Sequence, residues 1–139
     1  NISLLSEVDQ SISIKFNYNN EDLLIKCDGE QISRVFFNLI KNSIESIQEK
    51  SKKNGDFAKI IDIEIIDKND YITLNITDNG TGFSKDIIKN ITKPYFTTKY
   101  KGSGLGLSIV NKIINDHNGS IKFNSNKNNA KVEIILPKN

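Results

Sequence analysis

Three constellations in the chain combine residue types that can do chemistry. The first is Asn38, Asn42 and Glu45, spaced i, i+4 and i+7, which on a helix share one stripe flanking the apolar face. That edge can line a cleft, where the Asn42 carbonyl oxygen suits a hard cation that keeps most of its water and is shared with phosphates, as Mg2+ is. An ordinary polar flank would look the same. The second is Asp78-Asn79-Gly80-Thr81-Gly82-Phe83, which follows a run whose inward series Ile72, Leu74, Ile76 continues to Asp78. A carboxylate in register with core residues is costly unless it is bonded. It can accept a hydrogen bond from an exocyclic amino group such as that of adenine, while Gly80 and Gly82 allow close backbone approach; a plain Asn-Gly turn is the simpler alternative. The third is Lys99-Tyr-Lys-Gly102-Ser103-Gly104-Leu105-Gly106-Leu107, a glycine-rich stretch opening a helix. Backbone N–H groups at a helix N-terminus hold phosphate, and nearby lysines neutralise it. The G-x-G-x-G spacing without a preceding apolar strand disfavours a dinucleotide fold, and the stretch lacks the P-loop ending.

These residues need particular elements to hold them. Residues 2–8 carry a short helical pattern, and residues 11–18 alternate as a strand. Residues 23–27 read as a second short strand, ended by Asp28, which can cap a helix with Gln31 completing a capping box. Ile32, Val35, Phe36, Leu39, Ile40, Ser43 and Ile47 then recur at spacings of 3 and 4, predicting a long helix that stops at Gly55. Residues 59–67 and 71–78 alternate around a polar turn and predict an antiparallel hairpin. Residues 84–91 predict a short helix capped by Ser84, and 92–103 a long loop of the kind that is usually functional. Residues 105–117 predict a third helix stopped by Asn118-Gly119, and residues 120–124 and 131–136 a closing hairpin around the turn 125–129. Three main helices and six strands, with hairpins dominating, predict an α+β, two-layer α/β sandwich: a mixed, mostly antiparallel sheet covered on one face by the three helices.

Composition narrows the function. With 139 residues, 37% of them hydrophobic, the chain suits one domain, expected to span 1–139. Nineteen Lys and Arg against 17 Asp and Glu give +2, without a basic stripe interleaved with aromatics, so nucleic acid is a poor partner. The single cysteine, Cys27, excludes an internal disulfide framework, points to a reducing compartment and is expected to be an inert packed thiol. No apolar run approaches the roughly 20 residues of a membrane span, so no direct membrane contact is expected. The lack of methionine and the start at Asn1 lead us to expect a piece of a longer protein.

Taken together, Asn38-Leu-Ile-Lys-Asn42, Asp78-Asn-Gly80-Thr-Gly82, Pro94-Tyr-Phe-Thr-Thr-Lys99 and Gly102-Ser-Gly-Leu-Gly-Leu107 resemble the N, G1, F and G2 boxes of the catalytic, ATP-binding domain of sensor histidine kinases. Four boxes in order over some 70 residues are far more specific than any one of them. The resemblance runs from about Asp9 to Pro137, and Thr92-Lys-Pro-Tyr95 and Asn42-Ser-Ile-Glu45 are most similar to the nitrogen-regulation branch.

That resemblance implies the Bergerat-type ATP fold shared with gyrase, Hsp90 and MutL ATPases. It implies ATP and Mg2+ as cofactors, with Asn42 coordinating the metal, Asp78 binding the adenine amino group, and Gly80 and Gly82 shaping the base pocket. Residues 92–103 would form a lid, with Thr98, Lys99, Gly102, Ser103, Gly104, Leu105 and Gly106 around the phosphates and Glu45 as a helper nearby. Hydrolysing relatives carry a glutamate base where Asn38 stands; an amide takes no proton, which favours transfer to a protein acceptor over hydrolysis. The acceptor would be a histidine on a separate dimerisation domain preceding Asn1, with a response regulator receiver domain downstream, on the cytoplasmic side of a membrane-anchored sensor. His117, the only histidine, sits in the last turn of a helix and is expected to play a structural capping role. Two departures bear on the adenine-side loop and the lid: Asn128-Asn129-Ala130 where glycine is frequent, and Lys93 where glutamate is usual. An ATPase, a serine-phosphorylating relative and a binding-only nucleotide module are the competing readings.

Overall fold

A computed structural model describes residues 10–90, 106–125 and 129–139. The element order is β1 (Ser13–Tyr18), α1 (Gly29–Asn54), β2 (Ile60–Asp67), β3 (Tyr71–Asp78), α2 (Lys85–Asn90), α3 (Gly106–Asp116), β4 (Ser120–Ser125) and β5 (Ala130–Pro137). The strands form one sheet in the order β1-β2-β3-β5-β4. Only β1 and β2 pair in parallel, because α1 carries the chain back across the sheet between them; the other three pairings are antiparallel. The predicted α+β sandwich is thus the observed architecture. The expected helix at residues 2–8 and loop at 92–103 lie outside the described residues.

Alternation decides which face of the sheet is covered. Ile61 and Ile63 of β2, Ile72, Leu74 and Ile76 of β3, and Val132, Ile134 and Leu136 of β5 all point to one side and are buried. Onto them pack Val35, Leu39, Ile40, Ile44 and Ile47 of α1 and Val110, Ile113 and Ile114 of α3, as the helical spacing predicts. The short α2 contributes no buried residue. The opposite face stays polar, with Asp62 and Glu64 exposed.

The helix ends follow local chemistry, with one exchange of partners. Asp28 Oδ1 accepts from the Glu30 and Gln31 N–H groups, both at 3.1 Å, which caps α1 as expected. The reciprocal arm of the capping box is not what engages Asp28: its N–H donates to Nε2 of His117 at 3.1 Å. Gly55 closes the far end through its N–H to the Ser51 carbonyl, and Ser84 caps α2 by accepting from Ile87 N–H. At the end of α3 the left-handed residue is Asn118, φ 59°, and the Gly119 N–H returns to the Ile114 carbonyl.

Residues 23–27 correct the sequence reading. They form no strand and instead lie as a strap over the core, with Leu23 and Ile25 packed inward and Leu24 86% exposed. The alternation is real, but it reflects crossing a hydrophobic surface rather than joining a ladder; the strap's one backbone bond to the sheet end runs from Lys26 N–H to the Lys138 carbonyl, 3.0 Å. Five strands, not six, are present among the described residues. Cys27 is exposed rather than packed, because the strap carries it past the core edge just before the α1 cap.

Candidate functional site

The site is built where the C-terminal end of β3 meets the middle of α1. Asp78 pairs laterally with Ile61 and with Ala130, both buried, and is itself only 6% exposed. Its Oδ1 accepts the Gly80 N–H at 2.9 Å, and its carboxylate is also bonded by the buried Ser43 side chain. Burial pushes its pKa above the usual carboxylate value; the Gly80 and Ser43 bonds and the Lys50 charge oppose that rise without cancelling it. Two hydrogen bonds do not exhaust the acceptor sites of a carboxylate, so Asp78 retains capacity for one more donor.

The loop after Asp78 is clamped onto α1. Ser46 Oγ lies 3.0 Å from Thr81 Oγ1 and accepts the Thr81 N–H at 3.0 Å, and Lys50 Nζ donates to the Asn79 carbonyl at 2.9 Å. The same ammonium stands 4.7 Å above the Phe57 ring. Asn79 turns outward to accept the Ile60 N–H at 2.9 Å, fixing the loop to the start of β2. Gly80 is pressed against the helix: a Cβ there would lie 2.3 Å from Ser46 Oγ and 2.8 Å from the Ser46 carbonyl carbon. Gly82 adopts φ 74°, a left-handed conformation, and the next residue, Phe83, donates its N–H to Ser125 Oγ at 2.8 Å and packs edge-on against Phe123.

One and two turns earlier, α1 carries the asparagine stripe. Asn38, Asn42 and Glu45 are all half-buried, as an edge position between core and solvent requires. Asn38 Nδ2 donates to the Arg34 carbonyl at 3.0 Å, which leaves Oδ1 directed at the start of α3, 3.3 Å from where a Gly106 Cβ would stand. The asparagine helix and the end of the glycine-rich stretch therefore meet. Thr98, Lys99, Gly102, Ser103, Gly104 and Leu105 lie outside the described residues.

Ser43, Ser46 and Lys50 were not singled out from the sequence. They recur at spacings of 3 and 4, so they form a second polar stripe on α1, and it is this stripe that touches Asp78 and its loop. In the 3–4 spacing Ser43 falls on the apolar face, where a serine is small enough to sit.

His117 is fixed in a structural place. Nδ1 lies 2.8 Å from the Ile113 carbonyl, and Nε2 accepts the Asp28 N–H, which sets the tautomer with the proton on Nδ1. Nδ1 holds the ring to α3 itself, and Nε2 ties it to the cap of α1.

This geometry can be set beside known proteins. Residues 27–139 match the family described as histidine kinase-, DNA gyrase B- and HSP90-like ATPases. The chain belongs to that family. A protein of Rickettsia conorii named as an NtrY-like sensor histidine kinase is 39% identical over 112 residues, 81% of this chain and 18% of that protein. The nucleotide-free catalytic domain of histidine kinase ThkA superposes with a TM-score of 0.83 at 30% identity, over 99% of this chain and 88% of that one. A complex of ThkA with the response regulator protein TrrA gives 0.75 at 28% identity, over 99% of this chain and 38% of that one. The resemblance drawn from the four boxes is borne out, and the fold is that of a histidine kinase catalytic domain. The chain spans about a fifth of the length of the NtrY-like relatives it matches.

Proposed function

We propose that this chain, as a single catalytic domain, binds ATP with Mg2+ between α1, the 78–82 loop and the N-terminus of α3. In the full-length protein it passes the γ-phosphate to a histidine on a separate dimerisation domain. The observation that carries this is the buried Asp78 carboxylate, held at the bottom of a glycine loop that is clamped to the same helix whose Asn38 reaches Gly106.

Each residue has a task in that reading. Asp78 accepts the exocyclic amino group of adenine, a donor that guanine lacks at the equivalent ring position, so the buried carboxylate selects the base. Gly80 and Gly82 keep the loop backbone against α1 and leave the ring a flat wall. The first N–H groups of α3, beginning at Gly106, meet phosphate oxygens, helped by the helix dipole and by Thr98, Lys99, Gly102, Ser103, Gly104 and Leu105. Asn42 offers an amide oxygen to Mg2+. Among the described residues no three His, Cys, Asp or Glu side chains cluster, so such an ion takes most of its ligands from phosphate and water, which suits Mg2+. Bound there, Mg2+ supplies charge neutralisation at the phosphates. Glu45, one turn beyond Asn42, orients groups at the phosphate end. Asn38 cannot act as a base, so water is not activated and the phosphoryl group waits for the protein acceptor.

The partners follow: the histidine-bearing dimerisation domain, then the receiver domain of a response regulator, on the cytoplasmic side of a membrane-anchored sensor. No described helix is long and apolar enough to cross a membrane. The test mixes this chain, Mg-ATP labelled at the γ-position and the helical segment encoded upstream. Acid-labile label on a histidine of that segment is the expected result; release of free phosphate at the same rate with and without the segment would refute transfer.

A further inference from the structure

A cavity of about 150 Å³ lies between the strap and the first turns of α1, away from the nucleotide site. All eleven residues that line it are aliphatic or phenylalanine; Leu23 and Ile25 form its outer wall, Ile32 and Phe36 its helical wall, and Ile72 and Leu136 part of its floor. Among the described residues no polar side chain lines it, so water inside would lack the two to four partners it needs. Apolar cavities of about 150 Å³ with such walls stay dry and admit benzene or xenon. The recess is partly open to solvent at the strap, and there its apolar lining lacks dispersion partners, which a ligand would supply.

The location makes the site independent of the nucleotide reading. Of the β3 residues that line it, Leu74 is the nearer to Asp78, four residues away, or about 13 Å at 3.3 Å per residue, and Ile72 lies farther still. Access is also built in. The strap belongs to no helix or strand; it is anchored before by Asn19 and Asn20 on Ile65 and Asp67 and after by Asp28 on His117, and between those anchors the bond made by its own backbone is Lys26 N–H to the Lys138 carbonyl. A segment so sparsely bonded opens at far lower cost than the sheet or α1.

We propose that this cavity is a second ligand site, taking one small uncharged apolar molecule of the size of benzene, which enters past the strap. Benzene itself is the probe, titrated into the chain while methyl resonances are followed by NMR. Saturable shifts at Ile25, Ile32 and Ile72, with a dissociation constant of about a millimolar or tighter, are expected, while Ile44 and Ile47 stay unmoved. Benzoate should give no such shifts, since its carboxylate would be buried without a partner. Leu23→Phe, which grows the strap wall into the void, should weaken benzene binding at least tenfold. The proposal is overturned if benzene produces no saturable shift, if Ile44 and Ile47 move equally, or if benzoate acts alike. A folded Leu23→Phe variant with unchanged benzene affinity overturns it too; should that variant not fold, the titration of the parent chain still decides.

Discussion

Adding one methyl group at Gly80 tests the clamp between the 78–82 loop and α1. In Gly80→Ala the new Cβ would stand 2.3 Å from Ser46 Oγ, 2.8 Å from the Ser46 carbonyl carbon and 2.9 Å from Asp78 Oδ1. Ser46 Oγ can rotate away only by abandoning Thr81, whose N–H and hydroxyl it meets at 3.0 Å. The carbonyl carbon is backbone in the middle of a 26-residue helix and cannot rotate at all, so the loop itself must retreat by about 0.6 Å to reach ordinary contact at 3.4 Å. Overpacking of this kind costs about 1–3 kcal/mol, and the Gly80 N–H bond to the Asp78 carboxylate, worth about 1.5–3 kcal/mol, is strained by the same movement. A loss of about 3 kcal/mol, roughly 150-fold in the folding equilibrium, is expected. With a urea slope of about 2 kcal/mol per molar, the unfolding midpoint falls by about 1.5 M. Because the retreat carries Asp78's support with it, ATP affinity by calorimetry should also fall at least tenfold. The double variant Gly80→Ala/Ser46→Ala removes only the shortest contact and should recover less than half of the lost stability. A Gly80→Ala protein with an unaltered urea midpoint and unaltered ATP affinity would show that the loop does not lean on the helix as described.

Four further variants and one pH dependence test the same reading. Asp78→Asn removes a charge whose burial is unfavourable, so thermal stability should hold or rise while calorimetric ATP binding is lost; parallel loss of both would contradict the electrostatic account. Since the folded pKa of Asp78 is raised, its ionisation costs stability as pH climbs from the unfolded value of 3.8 through the folded one, and the carboxylate form needed for adenine is lost on acidification sooner than for an ordinary aspartate. Lys50→Met deletes the cation that opposes this rise, so the acid limb of ATP binding should move to higher pH; an unmoved limb would show that the Lys50 charge does not reach Asp78. Asn42→Ala should reduce Mg-ATP affinity and weaken its dependence on Mg2+ with the circular dichroism spectrum intact, and undiminished metal dependence would remove Asn42 from the site. His117→Ala should cost about 1 kcal/mol in urea unfolding through the lost bond to Asp28 and leave phosphotransfer to the partner segment unaffected; loss of transfer in a folded variant would show a role beyond structure.

The chain's local elements were legible because they depend on periodicity and on neighbours a few residues away. The 3–4 spacing from Ile32 to Ile47 set the buried face of α1, the cap at Asp28 and the stop at Gly55 set its ends, and alternation set β2, β3 and β5. The continuation of the β3 series to Asp78 also foretold a buried carboxylate, since a period of two leaves it no other face. Spacing alone could not tell alternation on a sheet from alternation over a core, and so residues 23–27 looked like a strand when they are a strap.

Contacts between residues far apart in sequence belonged to the tertiary structure alone. Ser43, Ser46 and Lys50 gain their meaning only when β3 delivers Asp78 and its loop to that side of α1, 29 residues beyond Lys50 for the Asn79 contact and 35 beyond Ser46 for Thr81. The Asp28 N–H found His117 across 89 residues and not the local glutamine, and Asn38 came to face Gly106 only because α1 and α3 pack on the same sheet face. Short-range preferences choose among backbone conformations residue by residue, whereas the docking of distant segments is settled by which arrangement buries the shared apolar surface and still pairs nearly all the polar groups it encloses.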